Sequence, residues 1–418
     1  MYILLVLLVG LPSLALIRVS KRGYMNLSGI FLIAWMVCLG FASLSLFGMQ
    51  ELADEVKIIG LLVMPIFAIN ALLFPIDKKA ALNNEGNTIE RSYANNRLLI
   101  AATLIVYIVS FKYLRIAVTN IVSGNLYWLR AASYESSTAY MTTSMLSIYQ
   151  NMIRPLLITM IILTVIDYSR GLGKPLTLIL SLINIILYSL LFAGRYMIFE
   201  SLIILFAGFY TKQISGIIRF IKNHKKLFWI GLLGIVSIIY ITDARSHNSI
   251  IRSIYTYSCG SFGFLTTLIN RNIGLDLHLN GRALFGFIYN TMWLFASLVG
   301  LVPSRGSASY QITQLTGTTM SIGTGMSYNS LATFLHPLMA DFGKWGCLLG
   351  VFIFGFLVNW IEKKRYRSNN TFWTAIYIEM VYVMINCVLQ YSLLNGSYAF
   401  LIFYLFIFTN KFRFGHRL

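Results

Sequence analysis

The chain has 418 residues, of which 57% are hydrophobic and only 11% charged, a composition that excludes an ordinary water-soluble globular protein. The formal net charge of +19 does not point to nucleic acid. The basic residues sit in short clusters between apolar runs, which is the distribution that sets membrane topology.

Apolar runs predict membrane spans at roughly 1–17, 28–48, 58–76, 98–116, 151–167, 176–193, 197–210, 228–242, 342–361, 372–390 and 397–410. The first run has no basic residues before it, and Arg18, Lys21 and Arg22 follow it. That is the reverse of a secretory signal peptide and predicts an uncleaved span with its amino terminus outside. Alternating sides from that start makes 18–27, 77–97, 168–175, 211–227, 362–371 and 411–418 the inside segments, and each of them is basic. The expected fold is therefore an all-α polytopic membrane protein of about eleven transmembrane helices, a single integral domain over 1–418 with its carboxyl terminus inside. The apolar stretch 284–302 is interrupted by Gly, Asn290 and Pro303 and is expected to lie in the interface or to re-enter the membrane.

Two outside loops, about 117–150 and 242–341, are too long to be mere connectors. They hold Tyr127, Trp128, Tyr134, Tyr140, Tyr255, Tyr257, Tyr289, Trp293, Tyr310 and Tyr328 among Asn, Gln, Ser and Thr. Such a mixture offers apolar faces for sugar rings and partners for hydroxyls. An interfacial aromatic belt is the alternative for any single tyrosine. The chain shows no internal repeat, which speaks against transporters built from duplicated halves.

The second loop has a bias in its cations. Between Lys226 and Lys344 there is no lysine, yet there are Arg245, Arg252, Arg271, Arg282 and Arg305. Arginine is preferred over lysine where a rigid fork must grip phosphate or carboxylate oxygens. Arg245 and Arg252 are seven residues apart and share a face if the segment is helical, so they could take a pyrophosphate from one side. Pairing of Arg245 with Asp243 is the alternative, and Arg271, Arg282 and Arg305 could be ordinary surface arginines. Arg195 lies in the short outer turn Phe192-Ala193-Gly194-Arg195-Tyr196, placed to hold a lipid phosphate at the membrane surface unless it only snorkels.

Transfer to a sugar hydroxyl needs a base. His336 ranks first, because its intrinsic pKa lies near neutrality and it ends the arginine-bearing loop. Glu200, an intramembrane carboxylate, ranks second, although it could simply balance Arg195. Glu135 ranks third. Of the four cysteines, Cys38, Cys347 and Cys387 fall in apolar spans and Cys259 is alone in a loop. No CxxC, Walker A, GxSxG, Cys/His spacing or outside DxD is present, so no cofactor and no metal is expected.

The stretch from Tyr328 through His336-Pro337 to Asp341-Phe342-Gly343 and Gly346, with the Gly194-Arg195-Tyr196 turn, resembles the Wzy-type oligosaccharide repeat-unit polymerases of bacterial O-antigen and capsule synthesis. The span count and the two large loops are similar to theirs. The resemblance implies a metal-independent, GT-C-like membrane glycosyltransferase of the bacterial inner membrane. A growing glycan would move from undecaprenyl pyrophosphate to the non-reducing hydroxyl of a lipid-linked repeat unit at the periplasmic face. Arg195, Tyr196, Arg245, Arg252, Arg271, Arg282, Arg305 and Asp341 would then bind substrate, and the partners would be the lipid-linked oligosaccharide, membrane lipids and a chain-length regulator. An O-antigen ligase is the nearest alternative, and a polysaccharide flippase or other transporter is the alternative of a different class.

Overall fold

The structure, a computed structural model, describes residues 1–21, 25–76, 92–132, 140–210, 229, 232–234, 236, 250–275, 277–303, 305–329, 331–368 and 370–410. Helices dominate. In chain order they are α1 (Tyr2–Lys21), α2 (Leu27–Ala42), α3 (Asp54–Leu73), α4 (Arg97–Val122), α5 (Leu126–Ala132), α6 (Thr143–Ile148), α7 (Arg154–Ser169), α8 (Pro175–Leu191) and α9 (Tyr196–Tyr210). There follow α10 (Ile250–Asn270), α11 (Gly286–Leu298), α12 (Ala308–Thr316), a hairpin of β1 (Met320–Gly323) and β2 (Met326–Tyr328), α13 (Leu335–Arg367), α14 (Thr371–Asn386) and α15 (Ser397–Thr409). Except for 228–242, most of which lies outside the described residues, every predicted span coincides with a helix.

Among the described residues, five helical runs are long and apolar enough to cross a membrane: Tyr2–Lys21, Asp54–Leu73, Arg97–Val122, Thr143–Ser169 and Leu335–Arg367. Several others, such as Leu27–Ala42 and Pro175–Leu191, are apolar but shorter. The helices carry large apolar side chains on their outer surfaces, among them Leu8, Leu11, Ile105, Ile108, Phe111 and Leu349. In water that surface would drive aggregation; against lipid chains it costs nothing.

The chain divides into two compact units. The first comprises residues 1–86, 246–373 and 380–396. Here α1 packs on α2 and α3, α13 packs on α2 and α3, and α10 packs on α2 and β1. The core is aromatic: Phe31 stacks on Phe67 at 4.0 Å between ring centroids, and Trp35 meets the edges of Phe262 and Phe334 at 5.0 and 5.3 Å. The Trp35 indole N–H donates to the Gly60 carbonyl (2.9 Å), so this large ring is buried without an orphan donor. The predicted first span ended at residue 17, but α1 runs to Lys21. The reason is a partner: Lys21 Nζ lies 3.1 Å from Glu362 and donates to the Phe74 carbonyl at 2.7 Å, with both charged side chains fully buried. The predicted second span ran to 48, but α2 stops at Ala42. Ser45 and Phe47 then take positive φ, and the chain turns to meet the hairpin. Gln50 N donates to Ile322 O (2.8 Å) and Thr324 N to Gly48 O (2.8 Å). A Cβ at residue 323 would lie only 2.1 Å from the Gly48 carbonyl oxygen, so this crossing needs glycine.

The second unit comprises residues 87–245, 374–379 and 397–418. Its centre is α7, which contacts α8, α9 and α15 and is buried along nearly its whole length. Asp167 at its far end accepts from Ser92 Oγ (2.7 Å) and from the backbone N–H groups of Tyr93 and Ala94 (3.1 and 2.8 Å), which fixes the entry to α4. The loops predicted at 117–150 and 242–341 are not featureless: α5 and α6 lie in the first, and α10, α11, α12 and the hairpin lie in the second.

Candidate functional site

In the second unit the local geometry starts from Pro155. Its ring removes an N–H and crowds the carbonyl four residues earlier. The helix widens in response: Tyr149–Ile153 forms a π turn, closed by a hydrogen bond from Arg154 N to Tyr149 O. Arg154, emerging from that wide turn, donates through Nη2 to Glu200 Oε2 at 2.6 Å. Glu200 is 1% exposed, and a second carboxyl, Glu379 at 3%, lies beside Glu200, Arg154 and Tyr398. Arg154, Glu200, Glu379, Ser397 and Tyr398 line a narrow cleft with about 10 Å³ of free space. Glu379 lies within hydrogen-bond reach of Glu200 and of the Tyr398 hydroxyl. Glu200 and Tyr398 lie in the opening turns of α9 and α15, whereas Arg154 follows the π turn within the continuous helix 143–169.

The turn leading into α9 is built tightly. Ala193 has φ 43, and Gly194 N returns to Ser189 O at 3.1 Å. Arg130 on α5 reaches this turn, with Nη1 donating to Phe192 O at 3.1 Å. A Cβ on residue 194 would come within 3.1 Å of that same nitrogen, so glycine leaves room for the guanidinium. Phe192 stacks on Tyr188 at 4.4 Å, and Tyr140 donates to Leu191 O at 2.9 Å; burial raises the Tyr140 phenol above its ordinary pKa and keeps it a donor. Arg195 is half-buried in the turn and Tyr196 opens α9. Arg130, anchored on Phe192 O, and Arg195, in the turn itself, thus both lie at the entry to α9, a place suited to phosphate oxygens.

The sequence reading found Arg195, Tyr196 and Glu200 but not Arg130, Arg154 or Glu379. Balancing Arg195 was the alternative role for Glu200; the structure pairs Glu200 with Arg154. Two signals were available. Pro155 after an arginine marks a disturbed helix start, and Glu379 is a carboxylate inside an apolar span. Glu135 and Arg245 lie outside the described residues, as do Tyr134, Asp243, His247 and Asp276.

The first unit places the remaining candidates. Arg282 stacks over the Tyr289 ring at 5.4 Å, and Tyr289 lies 5.7 Å from Trp293, whose indole N–H donates to Pro303 O at 3.0 Å. Gly306, next to Arg305, sits against the Trp293 ring; a Cβ there would be 2.4 Å from it. Arg282, Tyr289, Trp293 and the Arg305 segment therefore form one cationic, aromatic platform along α11. Ile288, Met292, Phe295 and Val299 are exposed on that helix. Its 13 residues span about 20 Å, too short to cross a bilayer. Arg252 donates to Gly325 O at 2.7 Å in the hairpin turn, and Arg271 is exposed at the end of α10. Tyr140, Tyr255 and Tyr328 are buried and hold structure, while Trp128 and Tyr257 are exposed.

His336 is fully buried, with Nε2 3.2 Å from Ile273 O and the Gly274 backbone against its ring. Asp341 accepts from Ala283 N at 2.9 Å and Leu284 N at 2.6 Å, so its carboxylate caps the turn before α11. Gly343, with φ 76, breaks the helix two residues later. The Asp-Phe-Gly motif is thereby a folding device: one carboxylate closes a distant turn and one glycine permits the break. We predict that Asp341→Ala lowers stability by about 2–3 kcal/mol, since two charge-assisted hydrogen bonds go and two buried N–H groups are orphaned. Thermal unfolding in detergent reads this out; an unchanged midpoint would contradict the capping role.

Compared with family models, curated proteins and solved structures, the chain matches none. What its fold establishes is the class: a helical, multi-pass, membrane-embedded protein.

Proposed function

We propose that the protein is a lipid-linked oligosaccharide repeat-unit polymerase. It transfers a growing glycan from undecaprenyl pyrophosphate to the non-reducing hydroxyl of a second lipid-linked repeat unit, at the outer face of the bacterial inner membrane. One observation carries this reading. In the second unit, the turn before α9 carries Arg195 and is contacted by Arg130 of α5, and α9 presents Glu200 to a buried acidic cleft five residues after Arg195. A pyrophosphate leaving group needs charge stabilisation more than protonation, and paired guanidiniums at a helix N-terminus supply it. The attacking hydroxyl needs a base, which the cleft supplies. Independently, Arg282, Tyr289 and Trp293 of the first unit form a cationic, aromatic surface of the kind that receives sugar rings.

The decisive experiment incubates purified protein with a lipid-linked repeat unit and resolves the products on a gel. A ladder is the expected result. One unit added to lipid A-core would make it a ligase, and movement of lipid-linked sugar across vesicles without any product would make it a transporter.

The reading also requires eleven spans, with α10 to α12 on the periplasmic side. In a chain lacking its native cysteines, Arg271→Cys should react with a membrane-impermeant maleimide in spheroplasts, and Arg367→Cys should react only after lysis. The opposite pattern would overturn this topology.

A further inference from the structure

The acidic cleft of the second unit has a charge balance that the pairing of Arg154 with Glu200 leaves open. Two carboxyls, Glu200 and Glu379, are buried side by side with one guanidinium. Tyr398 is the other titratable group that faces them. With both carboxyls ionised, an unbalanced negative charge would sit between apolar helices, away from water. Two carboxyls sharing a site resolve this by holding a single proton. The geometry leaves a place for it. Glu200 Oε2 is taken by Arg154, while Glu379 lies within hydrogen-bond reach of Glu200 and of the Tyr398 hydroxyl. A proton on Glu379 directed at Glu200 would satisfy both sides. The free space in the cleft, about 10 Å³, is about that of one water or a single hydroxyl.

We propose that Glu200 and Glu379 hold one proton between them and together form the proton-accepting centre of the enzyme, with Arg154 as the positioning residue that keeps the pair at one negative charge. Resting on the polymerase reading, the chemical step balances as follows. The acceptor sugar's O–H bond breaks, and its proton passes to a carboxylate oxygen of the pair. The oxygen's electron pair forms the new bond to the anomeric carbon of the donor. The anomeric C–O bond to pyrophosphate breaks, and its electrons leave with the phosphate. The pair then carries two protons and returns one to water through the cleft.

The test does not depend on turnover. Wild-type protein in nanodiscs is treated at neutral pH with dicyclohexylcarbodiimide, an apolar reagent that adds to protonated carboxyls, and adducts are located by mass spectrometry of the digest. The expected adduct is on Glu379. In Glu200→Gln, Arg154 is left with Glu379 as its only carboxyl in the cleft, so the proton leaves and the adduct should fall by about tenfold or more. In Glu379→Gln, Glu200 keeps its pairing with Arg154 and gains no adduct. An adduct on Glu379 that is unchanged in Glu200→Gln would overturn proton sharing. Infrared spectra of the wild type guard against failed labelling: a protonated-carboxyl stretching band at neutral pH is expected, and its absence would overturn the proposal with no variant involved. If the wild type forms ladders, Glu379→Gln should shift the acid limb of the pH–rate profile, a change that a purely structural glutamate would not produce. A carbodiimide adduct without ladders removes the polymerase and leaves the proton pair; ladders without adduct or band do the reverse.

Discussion

Arg195→Lys should cut polymer formation almost as deeply as Arg195→Ala. Arg195 sits in a turn whose geometry is fixed on three sides: by the Gly194 N–H to Ser189 O bond, by Arg130 on the Phe192 carbonyl, and by the stacked Tyr188 and Phe192 rings. A lysine there would keep the charge, but it would present a point donor in place of a planar fork, and phosphate recognition through two parallel N–H groups would be lost. Losing one charge-assisted contact to a leaving pyrophosphate typically costs about 3 kcal/mol, roughly a hundredfold in rate. Ladder yield at matched membrane expression is the measurement. Full-length ladders from both Arg195→Lys and Arg130→Lys would mean that the turn supplies only nonspecific positive charge. Gly194→Ala is a companion test, because its methyl would press on Arg130 Nη1 at 3.1 Å; it should weaken polymer formation while leaving the protein folded.

A comparably large effect is expected on stability, within the first unit. Lys21 and Glu362 are both completely buried and 3.1 Å apart. Glu362 Oε1 also accepts from Leu27 N at 3.2 Å, and Lys21 serves the otherwise orphaned carbonyl of Phe74 at 2.7 Å. Truncating either partner leaves the other charge buried without its counter-ion. Glu362→Ala should therefore destabilise the protein by about 3–5 kcal/mol. The double variant Lys21→Met with Glu362→Leu should recover much of that loss, since two apolar side chains of similar volume carry no desolvation penalty. Apparent Tm values of the two single variants and the double variant in the same detergent give the comparison. If Glu362→Ala unfolds at the wild-type temperature, the pair contributes nothing to folding and α1 must be held to α13 by apolar contact alone.

The positions of the helices could be read directly from the chain, because hydrophobic runs of span length and the basic clusters between them are local properties. The errors at helix ends also have local or near-local causes. The helix α1 outlasts its apolar run because Lys21 finds Glu362, and α2 falls short because residues 43–50 turn back to pair with the hairpin at 322–324. No inspection of residues 18–21 or 43–48 alone contains those partners. The candidate site divides in the same way. Arg195 was visible because a charge in a short turn between apolar spans is conspicuous in one dimension, and so was Glu200 inside its span.

Composition and periodicity thus determined that this chain is a helical membrane protein and where its helices lie, since burying apolar side chains in lipid depends on each segment by itself. Only the tertiary structure decided which charges meet. Arg154 and Glu200 are 46 residues apart, and Glu379 is a further 179 beyond Glu200; α7, α9 and α14 bring them together. A buried charge carries no fixed function in the sequence. Its protonation and its role follow from the counter-ions and donors that packing places within a few ångströms, and here packing assigns Arg154 to Glu200 and Asp341 to a turn.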